Sequence, residues 1–208
     1  MKHLILDFET FGTDTSSCVV IDCSAMVFDT ERFCSGSPYT LASIREPKKF
    51  KLSVSDQVKN YGYKIEQSTL EFWEKQPKNV RANIKPRETD ITVKEFTEQF
   101  SDYLTPFGKI DHWWTRSNSF DPPILWRLFE SQKALNKVHE YLPHWALRDT
   151  RTWIDAKLDY PKKNGFVPIA DENKWNNTFM HHDSSWDILA DVLRIQAIAR
   201  AENDMEQI

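Results

Sequence analysis

No apolar run in the sequence approaches the length needed to cross a bilayer, and the N-terminus lacks the charged-then-apolar pattern of a signal peptide. These absences argue against a helical membrane protein and an exported one, and set the expectation of a cytoplasmic protein. Cysteine is scarce: Cys18, Cys23 and Cys34 are an odd count at spacings that match no zinc pattern. A disulfide framework and a zinc site are thereby excluded, and the three thiols are expected to be buried apolar fillers. Internal repeats and low-complexity tracts are lacking too. So is an excess of positive charge, because 27 Lys and Arg face 31 Asp and Glu for a net charge of −4. A plain nucleic-acid binder would be more basic. That argument is weak for an enzyme that gathers carboxylates to hold cations. The basic clusters Lys48, Lys49 and Lys51; Lys75, Lys78 and Arg81; and Lys162 and Lys163 read as solvated faces.

What is present is a large apolar complement. Of 208 residues 40% are hydrophobic, with 13 Phe, 8 Trp and 6 Tyr, enough for the core of one domain spanning 1–208. Residues 3–7 and 18–28 read as strands, and a third is expected near 39–45, making an antiparallel meander. The stretch 46–65 is mixed and reads as a surface loop. A helix is expected from Ser68, with Ser68 and Glu71 forming a capping box. Another is expected over 93–104, where Val93, Phe96, Phe100, Tyr103 and Leu104 recur at helical spacing. A strand follows over 109–116, then a helix whose first turn holds Pro122 and Pro123. A short strand and short helix come next, then a polar loop over 160–178, then a helix from about Ser184 to about Ala201. This order predicts one α/β domain with a mixed sheet.

Acids recur where elements begin or end. In "LILDFETFG" the alternation of a strand puts Asp7 and Glu9 on one face with Phe8 on the other. Two adjacent carboxylates repel unless a metal ion, an arginine or water lies between them. Asp121 in "SFDPPIL" and Asp187 in "HHDSSWD" could converge on the same point if the first strand is central. Each also has a structural explanation: Asp121 as an N-cap before the prolines, Asp187 in an S-x-x-D capping pair with Ser184. Asp7 and Glu9 could equally be solvated acids at a strand end.

D-x-E-T-x-G after an apolar strand, S-F-D-x-x-I-L opening a helix and H-x4-D opening a late helix resemble the three motifs of the DEDD exonucleases. Their order and separation resemble the His-containing subgroup of the DnaQ-like 3′-to-5′ exonucleases, which have an RNase H-like fold. The stretches "STLEFWEKQ", "WTRSNSFDPPIL", "RDTRT" and "HHDSSWD" resemble the exonuclease A family of tailed bacteriophages. The resemblance implies an RNase H-like sheet with an antiparallel meander plus parallel strands, flanked by helices. It also implies hydrolysis of single-stranded nucleic acid from 3′ ends, with DNA favoured and RNA the alternative substrate, and the host cytoplasm as location.

The same resemblance implies two divalent cations, Mg²⁺ or Mn²⁺, held by Asp7, Glu9, Asp121 and Asp187. His182 is implied as general base; the H-x4-D count selects it over His181. Five residues on a regular helix turn through about 140°, so His182 is expected in the loop before the helix rather than on it. Implied substrate contacts are the backbone at Thr10 and Phe11, with Gly12 permitting close approach. Thr13 stands where relatives often carry a large aliphatic wedge, a part left to Phe11. Trp73, Trp114 and Phe120 are candidates to stack on bases. Trp73 also fits a core position, and Asp149 fits a helix cap or an acid supporting the site. Relatives often carry Asn four residues before the motif-two aspartate, where this chain has Ser117, with Asn118 following. A nucleic-acid-binding protein that kept the fold without activity is the alternative class, and it predicts loss of at least one of the five residues.

Overall fold

Strand β1 (Lys2–Thr10) is the middle strand of a five-stranded sheet ordered β3-β2-β1-β4-β5. The computed structural model describes residues 1–40, 43–44, 46–158 and 180–206. β1 pairs antiparallel with β2 (Val20–Asp29), and β2 antiparallel with β3 (Lys48–Lys51). On its other side β1 runs parallel to β4 (His112–Thr115), which runs parallel to β5 (Leu147–Asp149). This is the expected mixed, RNase H-like arrangement. In such sheets the crevice beyond the carboxyl ends of parallel strands is where ligands collect.

The alternation of β1 sorts its residues between two layers. Leu4, Leu6 and Phe8 are buried against Phe96, Phe100 and Leu104 of α4 (Val93–Leu104) and Ile124, Leu125 and Leu128 of α5 (Asp121–Ser131). Ile5 faces the other way, packing with Trp114 against Ile188, Val192 and Ile195 of the last helix, Ser184–Glu206. Each fully buried Phe or Leu contributes roughly 1.5–3 kcal/mol relative to exposure, so the position of β1 is strongly determined. Helix α4 forms as its periodicity predicts, started by a capping box between Thr92 and Glu95. Helices α6 (Leu135–Tyr141) and α7 (Thr150–Leu158) complete the expected C-terminal order, the last helix being α8.

Four expectations are corrected. The strand expected over 39–45 does not form in its described residues: Ser43 and Ile44 donate backbone bonds to the Thr40 carbonyl, and Tyr39 and Ile44 pack on the helical layer. The third strand is instead β3, whose "KKFK" buries only Phe50 and reads as surface because lysines flank an exposed edge. The loop expected over 46–65 also contains helix α1 (Val54–Tyr61), capped by Ser53 and closed by Gly62 at φ 68°. Helix α2 (Gln67–Glu74) has Glu66 at its N-cap, two residues before the expected Ser68, and lacks the Ser68–Glu71 box. Finally, Cys34 is exposed, whereas Cys18 and Cys23 are buried free thiols. A short helix, α3 (Lys78–Ile84), carries part of the basic cluster around Arg81. The loop expected over 160–178, with Lys162 and Lys163, lies outside the described residues. Among the described residues no helix is long and apolar enough to cross a membrane.

Candidate active site

Asp7 and Glu9 leave β1 on the α8 side, at the carboxyl end of the central strands. Immediately after Glu9 the pairing with β2 shifts register, from Glu9 opposite Asp22 to Thr10 opposite Val20. That bulge bends the chain away from the sheet at the site. It is held by Gln57, whose buried amide accepts from the Val20 N–H (2.8 Å) and donates to the Val20 carbonyl (2.8 Å). Asp187, on the first turn of α8, projects onto the same face. Oxygens of Asp7, Glu9 and Asp187 all lie within 4.8 Å of one another.

Asp121 approaches from the other layer. It is the first residue of α5, and its carboxylate accepts the Phe8 backbone N–H at 3.2 Å instead of capping its own helix. Asp7, Glu9, Asp121, Asp187 and His182 line one cleft of about 660 Å³, with Thr13, Asp14, Thr15, Arg116, Ser117, Ser119, Phe120 and Arg151.

The electrostatics of the cleft follow from crowding. Burial first, then the carboxylates of Asp121, Glu9 and Asp187, push Asp7 well above the usual carboxylate range. Burial, then Asp22 and Asp187, does the same to Glu9 against the pull of Lys49. Burial, then Asp191 and Asp183, raises Asp187 to about 7. Asp121 is raised by burial to about 7, although the backbone N–H groups of Phe8, Ser117 and Asp121 itself favour its anion. Four acids that resist ionising together, and offer only hard oxygen donors, fit divalent cations such as Mg²⁺ or Mn²⁺.

The start of α8 is fastened to the sheet beneath it. Ser24 pairs with the hydroxyls of Ser184 (2.7 Å) and Ser185 (2.8 Å), and Ser184 also donates to Asp22. The cap of α8 is Asp183, which accepts from the Ser185 N–H at 3.0 Å; the Ser184–Asp187 pairing expected from the sequence is not formed. Lys49 of β3 bridges Asp183 (2.9 Å) and Asp22 (3.6 Å), and Asn83 adds a bond to Asp183 at 3.1 Å. Burial alone would lower the Lys49 pKa, but the two carboxylates outweigh it and hold it above its ordinary value. Lys49→Met leaves both buried acids unpaired. A loss of about 3–5 kcal/mol is expected in urea unfolding at neutral pH. A loss below 1 kcal/mol would show that the bridge does not secure the helix.

One turn further along α8, Asp191 accepts from Arg116 (2.5 Å), Arg194 (2.9 Å) and the Thr150 hydroxyl (2.9 Å). This ties the loop after β4 and the start of α7 to the helix carrying Asp187. Asp22, Lys49, Asp183 and Asp191 all escaped the sequence reading. Asp22, an acid within the apolar strand "VVIDCS", was the available signal.

His182 lies in the turn before α8, in the left-handed region at φ 59°. This places it off the regular helix, as the five-residue spacing requires. Its ring meets Phe72 edge-on at 5.0 Å and Trp73 at 6.2 Å. Partial burial, then the neighbouring His181, lowers its pKa below the ordinary value. His182, and not His181, lines the cleft.

The remaining candidates divide. Phe120 lines the cleft; Thr10, Phe11, Gly12 and Trp114 do not. Trp114 is corrected to a core residue, its indole donating to His3 at 3.0 Å and its ring packed in the layer under α8. The backbone at Thr10 and Phe11 is engaged internally. Trp73 donates to the Thr10 carbonyl (2.9 Å), and Phe11 exchanges bonds with Val19 and Glu66 (both 2.8 Å). Phe11 itself is buried and cannot serve as a wedge. Gly12 does permit a close approach, but by protein: a Cβ there would sit 2.8 Å from Glu66 Oε1. That carboxylate accepts from the backbone N–H groups of Thr13 (2.9 Å) and Asp14 (3.1 Å), so it shapes the Thr13–Thr15 wall of the cleft. Asp149 caps α7 through the Thr152 N–H (2.7 Å) and holds the loop before Asp121 through the Asn118 N–H (3.0 Å).

Residues 2–187 match the family described as 3'-5' exoribonuclease Rv2179c-like domain. The exodeoxyribonuclease of Enterobacteria phage T4 is 28% identical over 99% of this chain and 92% of its own length. Among solved structures, E. coli exonuclease I in complex with a dT13 oligonucleotide matches with a TM-score of 0.60 and 18% identity. That match covers 96% of this chain but only 40% of exonuclease I. The zinc-ion-bound form of the E. coli ExoI–ssDNA complex matches at a TM-score of 0.59 with 18% identity, over 96% of this chain and 39% of that one. The chain belongs to the 3'-5' exoribonuclease Rv2179c-like domain family, and the three comparisons together support its place among the DnaQ-like 3′-to-5′ exonucleases.

Proposed function

We propose that the protein removes nucleotides from the 3′ ends of single-stranded DNA, releasing nucleoside 5′-monophosphates, with two divalent cations, Mg²⁺ or Mn²⁺, as cofactor. The observation that carries this reading is the meeting of three carboxylates, Asp7, Glu9 and Asp187, within 4.8 Å, with Asp121 and His182 on the same cleft. Asp7, Glu9 and Asp187 would hold one ion, with Asp7 shared and Asp121 reaching a second. Bound there, such ions neutralise the phosphate, activate water and stabilise the leaving oxygen.

The chain's own residues account for the rest. His182 takes the proton of the attacking water, for which a neutral imidazole is required. Its turn, outside the helix and backed by Phe72 and Trp73, sets the ring over the cleft. The water oxygen bonds to phosphorus and the 3′-oxygen of the penultimate nucleotide departs, taking a proton. Phe120, half-buried at the rim, offers a face for the terminal base. The Thr13–Thr15 wall, fixed by Glu66, borders the terminal sugar.

The T4 relative's name and the DNA-bound forms of exonuclease I support DNA as substrate. The family description supports RNA, the second reading, in which a residue of the cleft accepts the 2′-hydroxyl. One experiment separates them: DNA and RNA single strands of equal sequence, labelled at either end, with Mg²⁺, Mn²⁺ or chelator. Stepwise shortening from the 3′ end of DNA, abolished by chelator, is expected. Faster shortening of RNA would transfer the assignment, and activity that survives chelation would end it.

A further inference from the structure

Arg151 serves none of the roles assigned so far. It is exposed on the first turn of α7 and lines the cleft, yet it makes no hydrogen bond or ion pair with another described residue. Its backbone is rigid, because Thr150 is bonded to Asp191 and Thr152 to Asp149. A cation on the first turn of a helix also faces the positive end of the helix dipole, an unfavourable placement that a nearby anion would offset. Asp149 caps the helix, yet no described carboxylate forms an ion pair with Arg151, which stands on the cleft of a site whose substrate is a polyanion.

The surface beyond Arg151 continues the cleft. Ser117 and Ser119 line both the cleft and a neighbouring groove of about 650 Å³, whose other walls include Arg148, Thr152, Trp153 and Ala156. Trp153 is half-buried and its ring is braced edge-on against Trp114 at 6.0 Å. The acid in the wall, Asp149, has both oxygens occupied by the N–H groups of Thr152 and Asn118. A braced aromatic face, with Arg148 in the same wall, Arg151 on the adjoining cleft and no free acid among the lining residues, suits a base and its phosphate.

We infer that the groove between the Ser117–Ser119 loop and α7 is a subsite for the nucleotide preceding the scissile linkage, with Arg151 holding its phosphate and Trp153 its base. This rests on the exonuclease reading. A dinucleotide has one phosphodiester, which the carboxylate site occupies; a trinucleotide adds the phosphate that reaches Arg151. The expected result is a KM about tenfold lower for the trinucleotide than for the dinucleotide in the wild type, one charge-assisted contact being of that order.

Arg151→Ala is expected to remove most of that length dependence, with kcat on the trinucleotide little changed. Its log KM should depend on log salt with a slope smaller by about 0.7, the value for one phosphate contact on a single strand. Arg151→Lys should restore the salt slope in part. Ala156→Glu, an exposed substitution on the far wall, should also raise the trinucleotide KM. Equal effects of Arg151→Ala on both lengths, or none on either, would overturn the subsite. Absence of wild-type turnover on any strand would instead fail the exonuclease reading, while turnover with a KM independent of length would fail the subsite alone.

Discussion

Asp7→Asn is expected to abolish turnover, by at least about 10³-fold, and at the same time to make the protein more stable in chelator. The loss of activity follows from the position of Asp7 on the central strand, where its carboxylate is within reach of both Glu9 and Asp187. An amide there offers one neutral oxygen where an anion is needed, and the cation site loses its shared ligand. The gain in stability follows from repulsion. In the folded chain Asp7 is raised by burial and then by Asp121, Glu9 and Asp187, whereas in the unfolded chain all four acids are solvated and apart. Replacing one of the four crowded acids by an amide, which carries no cost of buried ionisation, is expected to add about 1–2 kcal/mol at neutral pH.

The pH dependence has a defined sign. Each of these acids has a folded pKa above its unfolded value, so the folded state binds more protons than the unfolded state between the two. Stability in chelator is therefore full below the unfolded carboxylate pKa, near 4, and falls as pH rises through the folded values. For Asp121 and Asp187 that decline ends near their folded pKa of about 7, and for Asp7 and Glu9 it extends higher. Thermal unfolding of the wild type in chelator should show Tm decreasing from pH 5 to pH 8, with a shallower decrease for Asp7→Asn. With Mn²⁺ added, the wild type should gain Tm and the variant should gain little. A variant less stable than wild type in chelator would refute the repulsion account, even if activity were lost.

The parts of this site legible in the sequence are those where chemistry and secondary structure disagree locally. Asp7 and Glu9 end an apolar strand, Asp121 precedes two prolines and Asp187 opens a helix. Each is conspicuous because a charge interrupts or borders a pattern that packing would prefer to leave apolar. Their convergence was not legible from any one of them. It depends on β1 being the middle strand, so that α5 and α8 reach its carboxyl end from opposite layers, and only the ordered set of motifs implied that arrangement.

What sequence reasoning misplaced has one physical cause in common: tertiary hydrogen bonds supplied what local pattern lacked. Helix α1 buries only Gln57, so it has no apolar stripe to announce it; the amide of Gln57 is consumed by Val20 at the bulge. Strand β3 has a single buried residue in a lysine-rich stretch, and Lys49 is spent on Asp183 and Asp22 instead of solvent. Trp114 looked available for stacking because a tryptophan beside a motif is ambiguous. Alternation along β4 places it on the α8 face, while Trp113 faces α5. The capping box at Ser68 failed for a related reason, since Glu66 is drawn back to the Thr13–Asp14 backbone.

Replacing His182 is expected to cost about 10²–10⁴ in kcat, the usual contribution of a positioned general base. The informative substitution is His182→Asn. His182 occupies the left-handed region at φ 59°, where asparagine is tolerated and alanine is strained, so the turn before α8 keeps its conformation. An exposed replacement without backbone strain should change stability by no more than about 0.5 kcal/mol, which separates loss of the base from loss of the fold. KM should change little, because the role proposed for His182 is to take a proton from water and not to bind the strand. Burial, then His181, lowers the imidazole pKa, so the neutral base is present at pH values below the ordinary histidine midpoint and its fraction rises with pH to a plateau. The wild-type rate should follow that rise on its acidic limb. In His182→Asn the limb belonging to the imidazole should be gone, leaving only the ionisation of the carboxylates. A variant that keeps near-full kcat, or that loses rate while retaining the same acidic limb, would remove His182 from the proton transfer. In the second case the turn it occupies would still be implicated, through Asp183 and the seating of Asp187 at the start of α8.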